Sequence, residues 1–192
     1  TLINCNYKSD EKFFLKTKID SLFLITKNEK ILKKKRYNLQ KIENQLDKEK
    51  FDTIIRDFYF DLSNEYYSIS DKKKYFQLVK KIENKSLNNK DSIGNILAIS
   101  NLGVYYQEKS NIDSAYYFYD KATKLIVFIK NKPFLESILL KKSVILWQNF
   151  DYLKAESLAI ESLKIAPEKK NTLMIYHSYV MIGNIQYSLK NY

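Results

Sequence analysis

Ser63, Gly103, Ser143 and Gly183 stand 40 residues apart along the chain. A fixed period of about 20–50 residues marks a stack of repeated units, each covering the apolar face of its neighbour, and not one compact catalytic domain. The surroundings of the four positions keep the same phase. An apolar residue precedes three of them (Leu62, Leu102, Ile182), Lys142 being the exception. Tyr66, Tyr106, Leu146 and Gln186 follow at one fixed distance, Tyr75, Ala115 and Ala155 at a second, and Val79, Tyr119 and Ala159 at a third. Ile82, Ala122 and Ser162 follow at a fourth. Two helices approach closely only where one of them is notched. Gly103 and Gly183 in first helices, with Ala115, Ala122 and Ala155 in second helices, supply such notches. Glycine inside a helix costs about 1 kcal/mol relative to alanine, so its return at one phase needs a packing reason.

Helix starts recur in phase as well. Ser70-Asp71, Ser110-Asn111 and Asn149-Phe150-Asp151 offer N-cap oxygens, and Asn191 falls at the same phase. Apolar residues recur at helical spacing, as in Ile54, Ile55, Phe58, Leu62 and Tyr66, and in Leu139, Val144, Leu146 and Trp147. With only 3 Gly and 2 Pro, the chain has few of the turn residues that a β-rich fold needs. The expected fold is all-α, continuous, without a linker.

The best copy reads Asn101-Leu102-Gly103-Val104-Tyr105-Tyr106, then Ala115-Tyr116-Tyr117-Phe118-Tyr119, then Lys121-Ala122. This resembles the tetratricopeptide repeat (TPR): a Leu-Gly pair, a Tyr, then Ala, an aromatic and Ala in a second helix. Pro167 in the next copy stands where that family ends its second helix. The resemblance covers residues 51–192, in copies at 51–90, 91–130, 131–170 and 171–192. It implies an α-solenoid of antiparallel helix pairs. The period exceeds the family's usual one by about six residues, which longer helices absorb. The last copy stops before its second helix, so the chain is expected to be incomplete there, with an uncovered apolar stripe on its last helix.

Residues 13–50 are helical but match the repeat poorly. Leu22, Leu39 and Ile42 keep the phase, whereas Phe23 and Lys35 stand where small residues belong. The segment is a degenerate repeat or a capping helix pair, with a turn expected at 26–28. Residues 1–12 are expected to be a tail. Leu2-Ile3-Asn4-Cys5 resembles the end of a bacterial lipoprotein signal peptide, with Asn6 to Lys12 as a polar tether. It departs from that pattern at Asn4. The resemblance implies lipid attachment at Cys5; the alternative is an inert thiol. The opening Thr1, in place of Met, leads to the expectation of a fragment or a processed product.

Composition excludes several classes of function. The net charge is +11, yet of 33 basic residues only Arg36 and Arg56 are arginine. Nucleic-acid surfaces rely on the bidentate guanidinium, so direct nucleic-acid binding by this segment is not expected. The run from Lys30 to Arg36 is a solvated helix face or a patch near an anionic membrane surface. No apolar run is long enough to span a bilayer. One histidine, His177, cannot form a multi-His metal site, and three glycines offer no phosphate loop. Neither enzyme activity nor a cofactor is expected.

The resemblance implies that first helices line a groove for a protein or peptide. On the face opposite the notch stand Phe60, Asn64 and Tyr67, then Val104, Gln107 and Glu108. Leu140, Val144, Trp147 and Gln148 follow, and then His177, Val180, Asn184, Tyr187 and Ser188. The alternative is that Trp147 and Tyr187 are inter-repeat core. Co-chaperone members of the family grip a terminal carboxylate with basic groove residues. Phe60, Ser100, Leu140 and Val180 occupy the matching places, so that clamp is missing. Composition, repeat length and the segment around Cys5 look like the sensor region of Bacteroidetes-type envelope signalling proteins, ahead of a histidine kinase or a LuxR-type regulator. An intracellular, cytoplasmic peptide-pheromone receptor and an assembly scaffold are the alternatives.

Overall fold

The computed structural model describes residues 2–190, with side chains from residue 12 onward. Asn191 and the side chain of Cys5 therefore lie outside the described residues. Helices dominate: α1 (Leu2–Asn28), α2 (Leu32–Leu46), α3 (Thr53–Ser68), α4 (Lys72–Asn88), α5 (Ser92–Glu108), α6 (Ile112–Ile126), α7 (Leu135–Gln148), α8 (Tyr152–Glu168) and α9 (Thr172–Lys190). This is an all-α fold of the solenoid class. The chain divides into two compact units, Thr1–Asn89 and Lys90–Tyr192.

Ser63, Gly103, Ser143 and Gly183 fall on α3, α5, α7 and α9, the first helices of successive pairs. The long period is met by helices of 17 residues in α4, α5 and α8 with short turns between them. One connection breaks the expected continuity. Between Ile126 and Leu135 the backbone leaves the helix, with positive φ at Asn131, Lys132 and Phe134.

The short turns share one construction. Ser70, Ser110, Phe150 and Lys170 adopt left-handed φ of 54–62°. The next residue then bonds back across the end of the preceding helix: Asp71 N–H to Tyr66 O, Asn111 to Tyr106 O, Asp151 to Leu146 O and Asn171 to Ala166 O, at 2.9–3.0 Å. This is the Schellman closure. The same residue's side chain accepts from the third residue of the following helix, as Asp71 does from Lys74 and Asn111 from Ser114. One Asx residue thus ends one helix and starts the next.

In the first unit, α1 and α2 pair, and Phe23 of α1 stacks on Phe58 of α3 at 6.1 Å. The ring at the register of the small residues is therefore an inter-helix contact. The turn expected at 26–28 falls later, at 29–31, because α1 stays helical through Asn28. The backbone of residues 2–12, expected to be a tether, is helical and continuous with α1. A polar seam joins α2 to α3 and α4. Glu43, nearly buried, takes Lys74 at 2.7 Å and Lys81 at 3.4 Å. Asp47 accepts from the Tyr59 hydroxyl at 2.5 Å. Burial, then the Asp47 carboxylate, pushes the Tyr59 phenol far above its ordinary value.

In the second unit, Ala115 and Ala122 of α6 and Ala155 and Ala159 of α8 are fully buried. Ser143 donates to Ala155 O at 2.6 Å, so its small side chain lies on the α8 backbone. At Gly103 a Cβ would meet Tyr119 Cε1 at 2.6 Å. The notch there is filled by an aromatic ring.

Candidate peptide-binding face

In the second unit the neighbours of α7 settle which of its sides remains uncovered. Ile138 and Ile145 pack on the α5–α6 side. Ser143 meets α8. Leu140 joins Met181 and Ile185 of α9 in one core, and Trp147 Nε1 donates to Ser188 Oγ of α9 at 3.0 Å. At 100° per residue, Ser137, Lys141, Val144 and Gln148 share the remaining side.

That geometry sorts the expected groove residues. Leu140 is corrected: at 8% exposure it belongs to the core against α9, because its position points one helix on and not into a groove. Val144 and Trp147 are half-buried and pack against the same core, Gln148 being exposed. Trp147 is thus inter-helix core with a satisfied N–H, the alternative raised for it. On α5, Val104 packs partly against Ala115, Tyr119 and Ile145. Gln107 accepts from the Tyr119 hydroxyl at 3.0 Å, which commits it to α6, and Glu108 is exposed. On α9, His177, Val180 and Asn184 are exposed and Tyr187 keeps 73% of its area; Tyr187 is not core among the described residues. In the first unit Phe60 is half-buried, Asn64 is exposed, and Tyr67 meets the Tyr75 ring at 5.2 Å.

Lys141, on this side of the second unit, carries no marker in the sequence pattern, and Ser100 is marked there only as a place where a clamp residue is missing. Lys141 is partly buried, has no ion pair or hydrogen bond among the described residues, and burial alone draws its amine below the ordinary lysine range. Ser100 on α5 is buried, and its hydroxyl has no hydrogen-bond partner. Nothing in Lys141-Lys142 as letters says which lysine is paired; only the neighbours reveal it.

Among the described residues no cluster of His, Cys, Asp and Glu could hold a metal ion, and no helix is long and apolar enough to cross a membrane. No protein-family model matches the chain, and no curated protein matches it in sequence. Solved structures do resemble it in fold. BtubC from P. vanneervenii superposes with a TM-score of 0.69 over 94% of this chain and 79% of that one, at 11% identity. The apo form of RapI gives 0.70 over 95% of this chain and 65% of that one, at 14% identity. Both are TPR-like helical repeat proteins. At such identity the likeness carries architecture alone, and a TPR-type helical repeat is the class it supports.

Proposed function

We propose that this chain is a non-catalytic, peptide-binding segment of the TPR type, serving as the sensing or interaction part of a bacterial envelope signalling protein. The observation that carries the binding reading is the uncovered side of the second unit. There half-buried Val144 and exposed Gln148 on α7 hold the register that Val104 and Glu108 hold on α5, and Val180 and Asn184 lie exposed on α9. Apolar surface beside amides suits an extended segment, because the apolar groups bury area while the amides bond to its backbone. The helical-repeat fold shared with RapI is compatible with that use. A dodecapeptide library displayed on phage and panned against the full chain tests it. Selected peptides should lose binding to Val144→Asp and keep it with Leu153→Asp on the exposed side of α8. Equal binding to both variants removes the face from consideration.

Envelope attachment through a lipid on Cys5 belongs to the same proposal and rests on the resemblance of Leu2 to Cys5 alone. Metabolic labelling with an alkyne fatty acid should mark the protein in its host and spare Cys5→Ala. An unlabelled membrane fraction would favour the cytoplasmic peptide receptor.

A further inference from the structure

The connection from α6 to α7 does not use the short turn that joins the other helices of the second unit. Residues 127–134 leave the helix and are folded by backbone bonds of their own. Ile129 N–H bonds to Ile126 O at 3.0 Å, Lys132 N–H to Ile129 O at 3.1 Å and Leu135 N–H to Lys132 O at 3.3 Å. Ile129 and Leu135 pack onto the core of Ile96, Ile99, Ala122, Ile126 and Ile138. Lys169, in the α8–α9 turn, donates to Lys132 O at 2.5 Å and to Glu136 Oε2 at 2.7 Å. The connection is thus fixed from two directions, yet its other apolar residues face water. Val127, Phe128 and Phe134 are exposed, and Phe128, at 85%, is the most exposed large apolar side chain among the described residues. Phe134 also keeps a left-handed φ of 64°. A bulky residue adopts that conformation at a cost that Gly or Asn would avoid. Neither the exposure of Phe128 nor the backbone strain at Phe134 serves the packing of this chain.

Charge is sorted around the same connection. From Lys121 to Leu135 the chain carries Lys121, Lys124, Lys130 and Lys132 and no acid. The acids that flank this stretch are occupied: Asp120 by Lys124 at 2.7 Å and Lys142 at 2.6 Å, and Glu136 by Lys169 at 2.7 Å. Lys130 and Lys132 are exposed and have no ion pair among the described residues. The bond from Lys169 brings the α8–α9 turn to this edge, where exposed Lys170 and Glu168 offset each other. A ring that stands off the surface, flanked by uncompensated lysines, matches a water–bilayer boundary. Apolar groups enter the headgroup–acyl region there while ammonium groups stay level with the phosphates. A protein partner would need a hollow shaped to a protruding ring, whereas lipid yields to it. Lysine suits the diffuse charge of a lipid surface, which asks for no arginine fork.

We propose that the α6–α7 connection is a membrane-surface contact, in which Phe128 and Phe134 enter an anionic bilayer and Lys130 and Lys132 face its phosphates. The contact needs neither the peptide-binding face nor a lipid on Cys5. The chain's net charge of +11 draws it toward such a surface at long range. Each lysine near the surface strengthens binding about fivefold. The rings add affinity that salt does not screen. Binding therefore has two components, and their different responses to salt separate them.

The full chain, with Cys5 shown by mass to be unmodified, is sedimented with vesicles of equimolar phosphatidylglycerol and phosphatidylcholine, and with phosphatidylcholine alone. It should bind the anionic vesicles and bind the neutral ones much more weakly. Lys130→Gln combined with Lys132→Gln should weaken binding about tenfold or more and flatten its salt dependence. Phe128→Ser should weaken it about fivefold to tenfold and leave the salt dependence in place. Leu153→Ser, on the exposed side of α8, is the control and should bind as wild type does. These side chains are exposed, so the thermal melts of the variants should coincide with that of wild type. Phe128→Trp reports insertion directly. Wild type holds Trp147 alone, so the added emission should shift to the blue on vesicles and be quenched by brominated acyl chains. Binding that survives both the lysine and the Phe128→Ser variants, or that falls equally with Leu153→Ser, overturns the proposal. So does a loss on Lys33→Gln with Lys34→Gln in their place, which moves the contact to α2. A loss with the lysines alone, without quenching at position 128, overturns the insertion of the rings. No binding to either vesicle overturns the proposal outright and leaves the connection to a protein partner.

Discussion

A methyl group added at Gly103 would sit 2.6 Å from a ring carbon of Tyr119; one added at Gly183 would meet nothing within 4 Å. Both glycines hold the same register of a first helix. Around Gly103 the second helix, α6, presses a fully buried tyrosine into the notch and secures its hydroxyl on Gln107. Around Gly183 no described helix does so. α9 is held from its other side, by Met181 and Ile185 in the core with α8 and by the Trp147–Ser188 and Ser162–Ser178 hydrogen bonds. The comparison separates what a repeat position encodes from what a given copy uses. The small residue is a property of the register, and its energetic role exists only where a neighbour fills the notch.

Breaking the comparison is simplest at the two glycines. Gly103→Leu should destabilise the chain by about 3 kcal/mol or more, because the Tyr119 ring has no space to yield into. Gly183→Leu should be close to neutral, and Gly183→Ala should stabilise by up to about 1 kcal/mol through helix propensity. Thermal melts of the three variants decide. Similar losses at both positions would mean that Gly183 is packed as Gly103 is.

A second test probes what does hold α9. Glu136 is nearly buried at the start of α7 and binds Lys169 at 2.7 Å and Asn171 at 3.2 Å, the residues that lead from α8 into α9. Burial alone would raise its carboxyl. The hydrogen bonds from Lys169 and Asn171 outweigh it and hold the group below the usual glutamate range. The folded value lies below the unfolded one, so this stabilisation is full above the unfolded value of about 4.3 and fades as pH falls through the folded value. Glu136→Gln should cost about 2 kcal/mol at neutral pH. The gap to wild type should narrow on acidification below pH of about 4. Amide exchange should rise in α9 more than in α5. A gap that does not change with pH would show that the carboxylate charge is not what matters.

Trp147→Phe sharpens the same point at smaller scale. It keeps a ring against the α7–α9 core and removes the donor to Ser188. The expected loss is about 1 kcal/mol. Hydrogen exchange localised to 181–189 would confirm that the bond serves α9; a loss spread evenly over the second unit would not.

The period was legible because Gly, Ser and Ala at fixed spacing record where backbones approach, and a small residue has few other reasons to recur. The caps at Asp71, Asn111 and Asp151 were legible because Asx oxygens are specific to helix starts. The lining of the face was harder to read, because one residue along a helix is 100° of rotation. Leu140 and Lys141 are neighbours in sequence, and only the positions of α5 and α9 say which is core. The turn geometry was also hidden. Few glycines suggested few turns, yet none of the described glycines has positive φ, and Ser, Asn, Lys and Phe fill the left-handed positions. Hydrogen bonds across each turn, which letters do not show, hold those residues there.

That last contrast yields the smallest and most discriminating effect. The chain places glycine at 183, where no left-handed φ requires it, and serine at 110, where φ is 56°. A left-handed conformation costs a non-glycine residue about 1–2 kcal/mol, and part of this is offset by the greater freedom that glycine gives the unfolded chain. Ser110→Gly should therefore stabilise the second unit by about 0.5 kcal/mol. Lys34→Ala, on the exposed face of α2, serves as the blank and should stay within about 0.5 kcal/mol of wild type. Chemical denaturation resolves the sign if the midpoint moves at unchanged slope. A clear loss for Ser110→Gly would mean that the hydroxyl does something at the turn that the backbone bonds of Ser110 and Asn111 to Gln107 and Tyr106 do not, and the shared construction of the turns would need a side-chain contribution at that position.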